Sequence, residues 1–158
     1  MSGTRDQEAR DSALSDFEHN LVLTAGAGTG KTSLLTGRVV CALLGKGCEP
    51  EELLITTFTE KAAAEMAARV EAALVALSEG RPAPDTDAGR AWRVLRHRFE
   101  IEARWIRDGA RALLDRDALP EVGTFHAFCL RTLGEFQREA GLAPDARIAD
   151  ADETLREF

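Results

Sequence analysis

Lys31 and Thr32 follow a loop that carries three glycines, and this combination of residues is suited to holding a phosphorylated ligand. The stretch from Leu21 to Leu35 reads LVLTAGAGTGKTSLL. Glycine lets the N–H groups of a loop approach phosphate oxygens more closely than a Cβ atom would allow. The lysine ammonium would contact the outer phosphates, and the threonine hydroxyl would be a magnesium ligand. The loop therefore predicts a triphosphate site with Mg²⁺.

The segments on either side of the loop are those that such a site requires. The apolar run Leu21–Leu23 predicts a buried strand before it, and the apolar periodicity of residues 33–44 predicts a helix after it. The N-terminus of a helix favours an anion through its unpaired N–H groups and its dipole. The candidate phosphate-binding residues are Ala25, Gly26, Ala27, Gly28, Thr29, Gly30, Lys31, Thr32 and Ser33. An ordinary glycine-rich turn is the alternative, although it has no need of the Lys-Thr pair.

Length, composition and charge limit the class of protein. A chain of 158 residues with 44% hydrophobic and 30% charged residues suits one globular domain with its own core. The net charge of -7 means that any contact with nucleic acid must come from a local patch or from stacking. The sequence has neither an apolar run of membrane-spanning length nor a secretory signal. The three cysteines lack metal-ligand spacing, so we expect free thiols in a reducing cytoplasm.

Helical and strand patterns alternate along the rest of the chain, as in an α/β fold. The predicted elements are a helix over 4–18 with Thr4 as its N-cap, a strand over 53–58 buried on both faces, a helix over 60–77 capped by Thr59, a strand over 121–125, and a helix over 126–140 with an apolar core face. The first strand, the helix after the glycine loop and the strand over 53–58 would form one βαβ unit.

Residues 88–116 form the most basic region, with eight arginines and four acidic residues. The arginines recur at helical spacing opposite an apolar face, and Gly109 is expected to bend or split the helix. Such a stripe is either a solvated surface or a face that follows the phosphates of a nucleic acid.

Three stretches of the chain together resemble motifs of superfamily 1 DNA helicases of the UvrD/RecB type. They are AGAGTGKT at residues 25–32, TTFTEKAAAEM at residues 56–66 and GTFHAFCLRTL at residues 123–133. The first resembles the nucleotide loop of that family, and the other two resemble its first DNA-contacting motifs. Glu60, where UvrD-like members usually have asparagine, and the Arg-rich insertion are typical of the RecB/AddA helicase–nuclease branch.

The resemblance implies roles for individual residues. Gln7 falls where the family keeps a glutamine that reads adenine, although a lone glutamine is otherwise ordinary helix surface. The resemblance implies that Phe58 offers a ring on which a DNA base stacks. Residue type alone would allow a core aromatic equally well. The other implied DNA contacts are Thr57 and Thr59 in the second motif, and Thr124, Phe125 and His126 in the third.

The resemblance also implies a fold and an activity. The fold would be that of a P-loop NTPase, with an incomplete RecA-like parallel sheet flanked by helices and an Arg-rich helical insertion with its linker at residues 81–119. Residues 1–158 would be the N-terminal part of the first motor domain of an ATP-dependent helicase that moves 3′-to-5′ on single-stranded DNA during repair or recombination. ATP and Mg²⁺ would be its cofactors, and single-stranded DNA and a nuclease or helicase subunit its partners. The protein would be located in the cytoplasm and associated with the nucleoid.

Two departures from the family pattern bear on activity. Ser33 stands where UvrD-like proteins often have an arginine that contacts phosphate. The sequence also lacks an apolar strand ending in Asp-Glu, the pair that completes magnesium binding and activates water. Asp152-Glu153 fits the first turn of a helix better. We therefore expect weak ATP binding without turnover from this chain alone.

Two other functions fit parts of the sequence. One is a complete small P-loop kinase or NTPase, in which residues 88–116 would form an arginine-rich lid. The other is a non-catalytic, helicase-like module that acts by binding a partner protein. Replacing Lys31 with alanine separates them, because it should abolish nucleotide binding in an enzyme and leave the function of a binding module intact.

Overall fold

The computed structural model describes residues 2–24, 26 and 28–143, with side chains from Gln7 onward. The helices are α1 (Ser2–Ser15), α2 (Lys31–Cys41), α3 (Glu60–Glu79), α4 (Asp87–His97), α5 (Ala103–Asp115) and α6 (Phe125–Glu135). The strands are β1 (Leu54–Thr57) and β2 (Glu121–Thr124). A π-helical turn over Ala42–Lys46 extends α2, and a short 3-10 turn over Pro50–Glu52 precedes β1. The predictions for Ala25, Ala27 and residues 144–158 lie outside the described residues.

The two strands form a small parallel sheet whose register brings their carboxyl ends together. Leu54 lies opposite Glu121, and Thr57 lies opposite Thr124. A parallel pair needs a long crossover, and α3, α4 and α5 supply it. In β1, Ile55 is buried whereas Leu54 is exposed. The prediction of burial on both faces is therefore wrong for β1, because among the described elements α3 covers only one face of the sheet.

The apolar run before the glycine loop does not form the predicted strand. Leu21, Val22 and Leu23 are all exposed, and 85% of the Val22 surface is accessible. A strand is stable only where its N–H and C=O groups find a neighbouring strand. Within the described residues, the one ladder joins β1 to β2. The parallel unit that is observed therefore links residues 54–57 to residues 121–124, and residues 21–23 lie outside it.

Helix α3, which the apolar periodicity of residues 60–77 predicts, forms the centre of the core. Its capping residue is confirmed, since Thr59 Oγ1 accepts a hydrogen bond of 3.1 Å from the N–H of Ala62. Helices α2, α4 and α5 pack around α3, and the basic region is therefore part of the core and not an appendage. The buried hydrophobic residues of these four helices are Val39, Val40, Cys41, Ala63, Met66, Val70, Ala73, Leu74, Leu77, Ala88, Ala91, Val94, Leu95, Ile106 and Ala110.

The basic region breaks at a different place from the one predicted. Helix α4 ends at His97 and α5 begins at Ala103, and the connection contains Glu100 at φ 56°. Gly109 lies inside α5, where a Cβ atom would come 3.1 Å from Leu44 Cδ2. Its small size therefore allows α5 to pack closely, and it does not split the helix.

The first and last described helices also differ from their predicted limits. Helix α1 begins at Ser2, so Thr4 lies within it and is not its N-cap. Helix α6 ends at Glu135, and Leu130, Leu133 and Phe136 are exposed. The predicted core face of α6 is wrong because, among the described elements, α6 packs mainly on the ends of the two strands. Of the helices described, none combines the length and apolar character that a membrane span needs.

The cysteines provide a test of the core. Cys41 is fully buried, and this burial raises the pKa of its thiol to about 12. Because the thiolate is the reactive form, we expect Cys41 to resist iodoacetamide at pH 8 while Cys48 and Cys129 react. Mass spectrometry of the labelled peptides, with and without urea, measures this difference. Equal labelling of Cys41 in the native protein would contradict the packing of α2.

Candidate phosphate-binding and nucleic-acid site

The glycine loop presents the open N-terminus of α2. Gly30 caps the helix at φ 89°, and Gly28 lies at φ 75°, both in the left-handed region that favours glycine. The first hydrogen bond of the helix runs from the N–H of Leu34 to the carbonyl of Gly30, at 2.9 Å. The N–H groups of Lys31, Thr32 and Ser33, the first three residues of α2, therefore point out of the helix end. Gly30 is the N-cap and makes no side-chain hydrogen bond to them. This geometry can hold an anion.

Lys31 reaches back across this loop. Its Nζ donates a hydrogen bond of 2.8 Å to the carbonyl of Gly26, and Thr29 Oγ1 donates to the same oxygen at 2.8 Å. The ammonium is thus held beside the open helix end, and not turned away from it. A phosphate in the loop would accept a charge-assisted hydrogen bond from the same group.

A cavity of about 430 Å³ lies against the loop and contains a second cation that sequence reasoning missed. Arg10 of α1 lines it together with Lys31, and Arg10 Nη1 lies 3.8 Å from the position of a Cβ atom built on Gly30. The other described lining residues are Ala9, Leu23, Thr24, Thr29, Gly30 and Leu34. With two cations and no carboxylate among these lining residues, the cavity is suited to a phosphorylated ligand with an apolar part. The spacing of Arg10 from Gln7, one helical turn, was the available signal.

A smaller cavity of about 220 Å³ joins the loop to the end of β1. Lys31 and Thr32 line one side, and Thr57 and Glu65 are among the residues on the other. A hydroxyl and a carboxylate are oxygen ligands of the kind that Mg²⁺ prefers, so these residues fit a magnesium ion that also binds phosphate. Glu65 is a second lining residue that the sequence analysis did not identify.

The side chain of Ser33 is engaged with the insertion and not with the loop. Its Oγ donates to Asp87 Oδ1, and Arg90 Nη1 donates to Ser33 Oγ at 3.0 Å. Arg69 of α3 lies 3.5 Å from the other oxygen of Asp87. The first turn of α2 is therefore fixed to α3 and α4 by a group of side chains in which two arginines surround one carboxylate. What Ser33 offers to a ligand in the loop is its backbone N–H.

Gln7, the predicted adenine reader, lies exposed on α1. Its Nε2 donates a hydrogen bond of 2.7 Å to Asp11 Oδ1 on the next turn. Ala9 and Arg10, which follow it, line the larger cavity. The structure thus places Gln7 on the helix that forms one wall of the cavity, and its contact with a base stays a prediction.

The second motif lies at the carboxyl end of β1, next to the smaller cavity. Phe58 is 99% exposed, so it is not a core aromatic. Thr57 Oγ1 donates to the carbonyl of Thr59 at 3.0 Å, and the Thr59 hydroxyl caps α3. The two threonine hydroxyls thus shape the turn that presents the Phe58 ring. An aromatic ring exposed in this way is suited to stacking with a nucleic-acid base.

The third motif lies beside the second because Thr57 and Thr124 occupy the same register position. Thr124 is 7% exposed; its Oγ1 donates to Glu60 Oε1 at 3.0 Å and accepts from the N–H of Ala127 at 3.1 Å. Its hydroxyl therefore joins α6 to α3. Phe125 and His126 are both exposed on the first turn of α6, with ring centroids 6.5 Å apart. Of the three, these two are the side chains that present open surface to a nucleic acid.

The left-handed conformation of Gly30 gives a prediction for the loop. We expect Gly30→Ala to lower the free energy of unfolding by about 1–2 kcal/mol, because an L-residue is strained there. A Cβ atom would meet no neighbour closer than 3.8 Å, so the backbone is the cause of the effect. Gly134 of α6 has open space around it, and Gly134→Ala should be neutral or slightly stabilising. Urea unfolding of both variants measures the difference; equal effects would contradict the loop conformation.

Comparison with known proteins identifies a matching family and several relatives of this chain. The family description "UvrD/REP helicase N-terminal domain" matches residues 6–158. An ATP-dependent helicase/nuclease subunit of Clostridium botulinum is 33% identical over 158 residues, and its counterpart in Latilactobacillus sakei is 31% identical over 136 residues. The ATP-dependent DNA helicase SRS2 of Saccharomyces cerevisiae is 32% identical over 150 residues. The two helicase/nuclease proteins agree with the branch that Glu60 and the insertion indicate.

These relatives are much longer than the present chain. The matches cover 98%, 86% and 92% of this chain in the order given above, but only 10%, 13% and 9% of the respective relatives. The chain therefore corresponds to a small part of each relative, and the part in question contains all three sequence motifs.

Proposed function

Because the chain belongs to the UvrD/REP helicase N-terminal domain family, we propose that it is the ATP-binding part of an ATP-dependent DNA helicase or translocase. The observation that carries this proposal is the juxtaposition of the two candidate sites. Lys31 and Thr32 line the same small cavity as Thr57, and the fully exposed Phe58 follows Thr57 directly. The wall of the phosphate site and the stacking ring are thus adjacent in the chain, at Thr57 and Phe58. This arrangement is suited to coupling nucleotide binding to the affinity for nucleic acid.

In this proposal, the glycine loop and Lys31 hold the triphosphate, and Thr32 holds Mg²⁺. The cavity wall formed by α1 takes the ribose and base, with Gln7 reading adenine and Arg10 adding positive charge beside the loop. Magnesium, when bound, neutralises phosphate charge. The fold of the intact domain would be the RecA-like P-loop fold, completed by further strands.

The DNA part of the proposal places a single strand across the carboxyl edge of the sheet. Phe58 stacks on a base, while Phe125 and His126 offer a second contact surface from α6. The Thr57, Thr59 and Thr124 hydroxyls mainly shape this edge, since each is engaged in a hydrogen bond within the protein. The proposal further includes movement in the 3′-to-5′ direction on the strand. The protein would act in repair or recombination with a nuclease or helicase subunit, at the nucleoid.

Direct binding measurements test the proposal. A fluorescent ATP derivative should bind saturably, and excess ATP with Mg²⁺ should displace it. A labelled oligo(dT) should bind with an affinity that depends on bound nucleotide. We expect no steady ATPase from the 158 residues, because Glu65 is the only carboxylate among the described lining residues of the two cavities. Absence of nucleotide binding would overturn the proposal, and steady ATPase stimulated by DNA would contradict the expected lack of turnover.

The alternative function is a non-catalytic module that binds a partner protein. The exposed apolar side chains Leu130, Leu133 and Phe136 on and after α6 favour this alternative, since such a surface is typical of a protein contact. The two functions differ in their dependence on Lys31, because only the first requires a bound nucleotide. Membership of the helicase family leaves no support for the small-kinase alternative.

A further inference from the structure

Asp11 connects the predicted adenine reader to the arginine-rich insertion. Its Oδ1 accepts a hydrogen bond of 2.7 Å from Gln7 Nε2 and one of 3.0 Å from Arg93 Nη2. Gln7 and Asp11 lie one turn apart on α1, whereas Arg93 comes from α4. We propose that Asp11 and Arg93 are positioning residues that make this site prefer adenine to guanine, by fixing the orientation of the Gln7 amide. This inference rests on the proposed nucleotide-binding function.

The chemistry of the three groups determines which way the amide faces. An ionised carboxylate can only accept hydrogen bonds, so it must face the NH₂ group of Gln7 and not its oxygen. Arg93 carries a permanent charge and lies in an ion pair with Asp11, which holds the carboxylate in place. The Gln7 oxygen is therefore the acceptor left for a ligand.

That orientation discriminates between the two purine bases. The 6-amino group of adenine is a donor and can pair with the Gln7 oxygen. Guanine has an acceptor at the same position, so its O6 would face the amide oxygen without a hydrogen between them. A site that is built to hydrogen-bond one base discriminates against an analogue that cannot form the same bond.

The position of Arg93 supports a positioning role for this chain of side chains. Arg93 Nε is buried without a hydrogen-bond partner among the described residues, an arrangement that is unfavourable for stability alone. Helix α1 has other anchors that do not involve Gln7: Leu14 is buried, and Arg38 Nη1 donates to the carbonyl of Ala13. The Asp11–Arg93 pair is thus not the only contact that holds α1, and its distinctive feature is its link to Gln7.

The test is the ratio of GTP to ATP dissociation constants, measured by displacement of a fluorescent ATP derivative. In Asp11→Asn, the new amide can donate to the Gln7 oxygen, so the Gln7 amide can rotate and present its NH₂ group to the base. We expect this variant to lower the ratio roughly tenfold or more, through weaker ATP and stronger GTP binding. Arg93→Met should lower the ratio less, by weakening ATP binding alone.

Two controls separate positioning from a general loosening of α1. Arg38→Met removes a different anchor of α1 and should leave the ratio unchanged. In a Gln7→Ala background, Asp11→Asn should no longer alter the ratio, because the side chain through which it acts is gone. An unchanged ratio in Asp11→Asn with ATP binding retained, or an effect that persists without Gln7, would overturn the inference. Absence of any nucleotide binding in the unaltered chain would instead overturn the proposed function and this inference with it.

Discussion

Lys31→Ala is expected to weaken ATP binding by roughly 10- to 150-fold, the largest effect of any single substitution in the nucleotide site. A hydrogen bond to a charged group contributes about 1.5–3 kcal/mol, and each 1.4 kcal/mol is tenfold in affinity. Lys31 lies at the open end of α2, with its Nζ 2.8 Å from the carbonyl of Gly26 across the loop. Removing it leaves the N–H groups of the helix as the main phosphate contacts.

The stability of the fold should change little in this variant. Lys31 is exposed, and its loss opens no cavity in the core. Lys46→Ala is the matched control, since Lys46 lies at the other end of the same helical segment and contacts Glu18 at 3.1 Å. Isothermal titration with ATP and Mg²⁺, together with thermal unfolding, measures both effects. Unaltered ATP affinity in Lys31→Ala, or an equal loss in Lys46→Ala, would contradict the assignment of the loop.

The same variant separates the helicase proposal from the binding-module alternative. If the chain acts through ATP, then every nucleotide-dependent property should be lost together, including any effect of ATP on the affinity for oligo(dT). If it acts by contacting another protein through the surface that includes Leu130 and Leu133, that contact should survive the loss of Lys31. The two outcomes are distinct because this apolar surface lies on α6 and the lysine lies on α2.

Features that depend on local geometry could be predicted from the sequence. The start of α2 after the glycine loop follows from residues 28–32, and the cap of α3 follows from the position of Thr59 before an apolar-periodic segment. Both depend on interactions within a few residues along the chain. Phe58 differs from these two, because residue type alone left its burial open and the resemblance placed it outside the core, where it is fully exposed.

Features that depend on distant partners were missed or wrong. Residues 21–23 are apolar enough for a strand, but a strand needs a neighbour, and no local pattern supplies one. Arg10 reaches the loop only because α1 packs against α2. The Thr124 hydroxyl donates to Glu60, which is 64 residues away in sequence, and the sequence did not indicate this contact. In each case the outcome was decided by tertiary packing that the sequence pattern does not encode.

Phe58→Ala is expected to weaken single-stranded DNA binding by roughly 5- to 150-fold, because stacking of one base on an aromatic ring is worth about 1–3 kcal/mol. The ring is 99% exposed, so its removal should not alter the thermal midpoint of unfolding. A loss of affinity without a loss of stability is the signature of a binding residue. Phe58→Trp should retain binding, since indole also offers a flat aromatic face.

The control for Phe58 must be another exposed aromatic residue that lies away from the sheet edge. Trp105 of α5 is 59% exposed, and Arg104 lies over its ring at 5.0 Å. If DNA crosses the edge formed by Thr57 and Thr124, Trp105→Ala should leave the affinity for oligo(dT) unchanged. Fluorescence anisotropy at low salt compares the variants directly. Equal losses in Phe58→Ala and Trp105→Ala would mean that DNA binds by non-specific aromatic contact, and normal binding in Phe58→Ala would remove Phe58 from the interface.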